Sequence, residues 1–124
     1  MNKWMALSLG GVLGTFARYL AATWIPGLAG SGFPYGTLAV NLSACLVIGF
    51  LDSLARTRGL LGPEARLLLM TGFCGAYSTF STLILETSNL AADGQALAAL
   101  VNYLGSGVAG LVLLRVGMWL GTVV

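Results

Sequence analysis

The chain has 124 residues, 57% of them hydrophobic and 8% charged, with a net charge of +2 and no histidine. A soluble domain carries about a quarter of its residues charged, so a water-soluble globule is excluded, and the missing imidazole removes the commonest general base and metal ligand. The small positive charge, without a basic cluster, excludes a nucleic-acid partner.

A spanning helix needs about 20 mostly apolar residues, and the chain accommodates four as one transmembrane domain of residues 1–124 facing the lipid bilayer. The first is expected over residues 4–24, with Gly10, Gly11 and Gly14 inside it and Arg18 near its far end. Lys3 before an apolar run resembles the start of a signal peptide, but three further spans follow, so the segment is read as a retained helix. Residues 25–35, punctuated by Pro26, Gly27, Gly30, Ser31, Gly32 and Pro34, read as a loop. The second span covers residues 36–54. Arg56-Thr57-Arg58-Gly59 and Gly62-Pro63-Glu64 then form a polar turn, with Pro63 suited to a first helical turn. The third span, residues 64–90, carries glycines and hydroxyls at the depth where leucines are usual. Asp93-Gly94 turns the chain into a fourth span over residues 96–120, containing Asn102, Ser106 and Arg115. Cys45 and Cys74 lie inside spans and read as small packing residues. Lys3, Arg56, Arg58 and Arg66 fall on one side, while the opposite loops carry no Lys or Arg. The positive-inside rule puts both termini in the cytoplasm, at the inner (plasma) membrane of the cell.

Polar side chains at membrane depth are costly unless they pair or line a wet cavity. Thr37, Asn41, Cys45 and Gly49 recur every four residues on one face of the second span, and Asn102, Ser106 and Gly110 do the same on the fourth. Two such stripes line a narrow path if they face each other; packing of small residues is the other reading. Gly10-x-x-x-Gly14 and Gly117-x-x-x-Gly121 read as packing seams. Glu86 has no evident partner in the sequence.

Over Gly72–Thr82 the glycines and clustered hydroxyls weaken the helix. Either the helix breaks, or Ser and Thr bond back to their own turn. At a break, freed carbonyls hold a small cation and freed N–H groups and hydroxyls hold an anion. Amide and hydroxyl donors with the ring edge of Phe80 suit a small hard anion, and there is no carboxylate ring for a cation pore. Arg18 at one mouth raises local anion concentration.

Gly10-Gly11-x-x-Gly14-x-x-x-Arg18, Gly36-Thr37-x-x-x-Asn41 and Gly72-x-x-Gly75-x-x-Ser78-Thr79-Phe80-Ser81-Thr82 occur in this order along the whole chain. Together they resemble the Fluc (CrcB) fluoride channels. The resemblance implies an all-α integral membrane fold: four transmembrane helices, a break in the third, and an antiparallel, dual-topology homodimer with two pores. It implies passive, selective export of fluoride, with Asn41, Thr37, Phe80, Ser81 and Thr82 on the ion path. Asn102 and Ser106 match the polar track of the fourth helix, and Arg18 the vestibule. A structural Na+ at the dimer interface would be held by the backbone carbonyls of Gly75 and Ser78.

The sequence departs from the family pattern in three ways. Leu83 stands where a second pore phenylalanine is usual. Ala44-Cys45 replaces a pair that is often Gly-Gly. The lopsided positive charge suits a fixed orientation, as in family members that pair with a homologue as a heterodimer. A small multidrug-type dimeric transporter is the competing fold of similar size, but it requires a carboxylate in the first span, whose only charge here is Arg18. A packing subunit without transport leaves the ordered motifs unexplained. An enzyme is not expected, because no nucleophile–base pair can be assembled.

Overall fold

The four apolar runs become four helical segments long enough to cross a membrane, Lys3–Ala29, Tyr35–Thr57, Pro63–Ala92 and Ala96–Val123, in a computed structural model that describes residues 1–124. Helix α1 (Lys3–Ala29) is capped by Asn2, whose side-chain oxygen accepts the Trp4 N–H at 3.0 Å. It runs five residues beyond the expected end, through Pro26. A proline in the last turn removes only its own hydrogen bond, and the residues after it keep donating until Gly30, at φ 97, ends the helix. The expected loop therefore shrinks to a few residues before α2 (Tyr35–Thr57).

The third span is composite. A short α3 (Pro63–Arg66) leads into a π-helical run, Leu67–Cys74, and then into α4 (Gly75–Tyr77). Ser78 and Thr79 are extended, at φ/ψ −75/159 and −151/113, and α5 (Phe80–Ala92) restarts the helix. Helix α6 (Ala96–Val123) completes the chain. The break thus falls within the expected window, but not at its glycines. Gly72 and Gly75 both keep helical conformations.

Gly72 instead lets two backbones meet. A Cβ there would lie 3.0 Å from the Cα of Gly10, and a Cβ on Gly10 would overlap the Leu68 carbonyl. The expected seam Gly10-x-x-x-Gly14 therefore packs α1 onto the π-helical run. Gly117 and Gly121 likewise bring α6 against the backbone of α2 at Leu46 and Phe50. Small residues let membrane helices approach this closely, where dispersion and not the hydrophobic effect holds them together.

Lys3, Arg56, Arg58 and Arg66 gather at one end of the bundle. The turn after α2 is tied there by cation-to-carbonyl bonds: Arg66 Nη2 donates to Ala55 O at 2.9 Å and Arg58 Nη2 to Thr122 O at 2.8 Å. Arg56 pairs with Asp52 at 2.9 Å. Only 21 of the 124 residues are buried within the chain, and Trp4, Phe16, Trp24 and Trp119 stand exposed. Lipid tails accept such a surface.

Candidate functional site

The break takes its shape from a side chain on another helix. Asn41, halfway along α2, addresses the peptide of Thr79 with both ends of its amide. Its Oδ1 accepts the Thr79 N–H at 2.7 Å, and its Nδ2 donates to the Thr79 carbonyl at 3.0 Å. In an unbroken helix that N–H would bond the carbonyl of Gly75. The Thr79 hydroxyl caps α5 by accepting the Thr82 N–H at 3.3 Å, which in an unbroken helix would bond the carbonyl of Ser78. The carbonyls of Gly75 and Ser78 are therefore among those released from the helix ladder at the break. No cluster of His, Cys, Asp or Glu able to hold a metal lies anywhere in the chain, so backbone oxygen is the donor type available to a hard cation. Such ions take oxygen ligands, and the freed carbonyls are of the donor type a structural Na+ would require.

A second link fixes the other side of the break. Ser43 Oγ lies 2.9 Å from the Tyr77 hydroxyl. With Asn41 it holds the flanks of the extended residues to α2.

Asn41 keeps one amide N–H free after these bonds. The residue lines a groove of about 530 Å³ with Phe80, Leu83, Ser106, Ser78 and Thr79. Phe80 is 68% exposed, so its ring edge is open, while Leu83 is buried in the groove wall. Ser106 is buried and its hydroxyl has no partner. The groove is thus lined by an amide, a serine and an aromatic ring, and by no carboxylate.

A smaller cavity of about 260 Å³ shares Thr79 with this groove, and Arg18, Thr15, Thr37 and Thr82 line it. Thr82 Oγ1 accepts from Thr79 Oγ1 at 3.0 Å, so its own proton is free to point inward beside the Arg18 guanidinium. Ser81 is exposed next to the break, 3.5 Å from Thr79 Oγ1, and lines neither cavity.

Two expected path residues have other bonds. Thr37 Oγ1 donates to Glu86 Oε1 at 2.8 Å. This corrects the reading of Glu86 as partnerless and leaves Thr37 no proton for an anion. Asn102 Nδ2 donates to Thr87 Oγ1 at 3.0 Å, and Thr87 itself donates to the Leu83 carbonyl at 2.7 Å. The hydroxyl proton of Thr87 is thereby committed, which fixes the amide orientation of Asn102. Its Oδ1, buried and unpartnered, is the atom left over, an acceptor where an anion needs a donor. The two polar stripes meet at Asn41 with Ser106 and at Cys45 with Gly110, where a Cβ on the glycine would touch Sγ at 3.2 Å. At their outer ends, Thr37 and Asn102 turn to α5.

Sequence reasoning missed the Thr37–Glu86 pair, Thr87, and the Ser43–Tyr77 link. Thr37 and Glu86 were each marked as costly at membrane depth, which was the signal to pair them. Nothing in the spacing pointed to Thr87 or Tyr77.

The profile of the CrcB-like (Camphor Resistance, CrcB) family matches residues 5–118. A protein of Chlorobaculum tepidum named fluoride-specific ion channel FluC is 48% identical over 94% of this chain and 92% of its own length. One of the same name from Chlorobium phaeobacteroides is 45% identical over 94% and 90%, and one from Acidobacterium capsulatum is 43% identical over 98% and 94%.

Proposed function

This chain belongs to the CrcB family, and from that premise we propose that it is a passive, fluoride-selective channel, a multi-pass protein of the plasma membrane that lets cytoplasmic fluoride out. Membership sets aside the multidrug-type transporter, and a channel is not an enzyme. The observation that carries the reading is the free N–H of Asn41 beside the open edge of Phe80 at the helix break. Fluoride is small and strongly hydrated, and dehydrating it requires donors that are fixed in advance. Asn41 is fixed by Thr79. Thr82 offers a hydroxyl proton in the neighbouring cavity and Ser106 an unpartnered one behind the groove wall, and Arg18 supplies positive potential at the Thr82 end. A larger halide gains less from the same donors, because its charge is more diffuse, while the apolar groove walls cost it as much.

The working unit in this reading is an antiparallel dimer, either of two copies or of this chain with a paired homologue. The groove in one protomer is an open trough, which supports a second chain closing it into a pore. The lopsided basic residues, with Lys3, Arg56, Arg58 and Arg66 at one bundle end and none at the other, support a fixed orientation and hence a differently oriented partner. Na+ at the dimer axis would be held by the carbonyls of Gly75 and Ser78 from each chain. There it would supply charge neutralisation for carbonyls that the break leaves without N–H partners.

The test is fluoride efflux from liposomes containing purified protein, read with a fluoride electrode. Rapid fluoride release with chloride retained is the expected result. Proton-driven uptake of organic cations, without fluoride release, would overturn the reading.

A further inference from the structure

Five of the six basic side chains have an evident role in the fold or the site. Arg56 pairs with Asp52, Arg58 and Arg66 donate to backbone carbonyls, and Lys3 lies 5.2 Å from the centroid of the Trp4 ring. Arg18 lines the cavity beside Thr82. Arg115 has neither ion pair nor hydrogen bond to the chain. It sits on the face of α6 that points away from the protomer's own core, exposed in a shallow groove of about 470 Å³ with Leu111, Val112, Val116 and Trp119.

Its depth is informative. At about 1.5 Å per residue, Arg115 lies about 12 Å short of the end of α6 at Val123. An unpaired guanidinium so far inside a spanning helix is costly. It is relieved when the long side chain reaches toward the headgroup layer and meets an anion there. Trp119, one turn nearer that end, is of the type enriched at this boundary. Leu111 and Val112, deeper than Arg115, are apolar and lie on the hydrocarbon side. A cation at the outer end of an apolar groove is complementary to one kind of molecule, with an anionic head and a fatty tail.

We propose that Arg115, with Trp119 and the groove along Leu111, Val112 and Val116, binds an anionic phospholipid, the guanidinium on its phosphate and an acyl chain in the groove. The site lies at the end of the bundle where the basic residues gather. Of the arginines near that end, Arg115 alone spends no donor on the chain itself. Arg115 and Trp119 line neither the groove at Asn41 nor the Thr82 cavity, although Leu111 is shared with that groove, and the inference stands whether or not the chain conducts fluoride.

Native mass spectrometry of the full chain in a neutral detergent tests it, with palmitoyl-oleoyl phosphatidylglycerol or phosphatidylcholine added. The parent should retain phosphatidylglycerol in preference. Arg115→Gln should lower that retention about five-fold, the factor equivalent to about 1 kcal/mol per basic residue near a membrane surface. Arg115→Lys should keep most of it, and Arg56→Gln, whose charge Asp52 already engages, should change nothing. Trp119→Ala should weaken retention independently and decides the matter if Arg115→Gln cannot be purified. Equal retention of the two lipids by the parent, or unchanged retention in Arg115→Gln or in Trp119→Ala, overturns the proposal. So does displacement of the lipid by inorganic phosphate alone, which would make this a free-anion site. Dissociation of an oligomer by Arg115→Gln without loss of lipid also overturns it, because Arg115 would then contact a second chain.

Discussion

Asn41→Asp changes one atom's chemistry at the centre of the site. The carboxylate still accepts the Thr79 N–H, as Oδ1 does now at 2.7 Å. The other oxygen replaces Nδ2, which donates to the Thr79 carbonyl at 3.0 Å, and two acceptors then face each other. Losing that bond and stranding a part-buried carbonyl costs about 1–3 kcal/mol, which a four-helix membrane protein tolerates. The effect on fluoride is larger. The free N–H is lost, and a hydrogen bond to a charged group contributes about 1.5–3 kcal/mol, equivalent to a fall of about ten- to a hundred-fold in flux. An ionised carboxylate about 4 Å from the anion adds repulsion of about 4 kcal/mol at an effective dielectric of about 20. Efflux from liposomes should therefore drop by at least about ten-fold. Size-exclusion chromatography should show the oligomer of the parent. An Asn41→Asp protein that eluted like the parent and released fluoride at the parent's rate would falsify the role given to the Asn41 N–H.

Other outcomes follow from neighbouring contacts. Leu83→Phe should raise flux if position 83 meets the ion, provided the larger ring fits its buried place without an overpacking cost of about 1–3 kcal/mol; equal efflux from the parent, Leu83→Phe and Leu83→Ala, with Phe80→Ala inactive, would put Leu83 off the path. Gly10→Val should lower thermal stability in detergent because its Cβ overlaps the Leu68 carbonyl, whereas Gly11→Val, with nothing within 4 Å of its Cβ, should not; similar melting of both would remove the case for a backbone seam. Thr37→Val should destabilise by about 1–3 kcal/mol by stranding Glu86 Oε1. A double-mutant cycle with Glu86→Ala should show the two effects to be coupled, and simple additivity would mean the 2.8 Å bond contributes nothing. Replacing Na+ by a bulky organic cation throughout purification should slow efflux or dissociate the dimer, and full activity without Na+ would remove the ion from the assembly.

The spans were legible because hydropathy alone determines where a helix can cross lipid, and the glycine seams because only small residues at i and i+4 let backbones touch. The break was legible in place but not in cause. Gly72 and Gly75 looked like helix breakers, yet one of them serves packing and both stay helical. The extended residues are Ser78 and Thr79, held by Asn41, a contact between positions 38 apart in sequence. The widened π-helical turn at Leu67–Cys74 left no mark that periodicity detects, since eight residues are too few to separate its period from that of an α-helix. Of the stripe residues, Asn41 and Ser106 line one groove together with Phe80, while Thr82 lines the cavity beside it. The bonds of Thr37 to Glu86 and of Asn102 to Thr87 were not legible, because a residue type and a spacing do not say which proton is already committed.

The grip of Asn41 on residue 79 has a further consequence. Both of its hydrogen bonds go to main-chain atoms, which every residue except proline presents alike. The side chain at position 79 can therefore vary without reporting on position 41. The method that infers contacts from paired substitutions across homologues depends on each side chain answering the other. It will be blind to this bond. A sequence designed to keep the correlated pairs of such a family could lose the bend of the third span while satisfying every correlation.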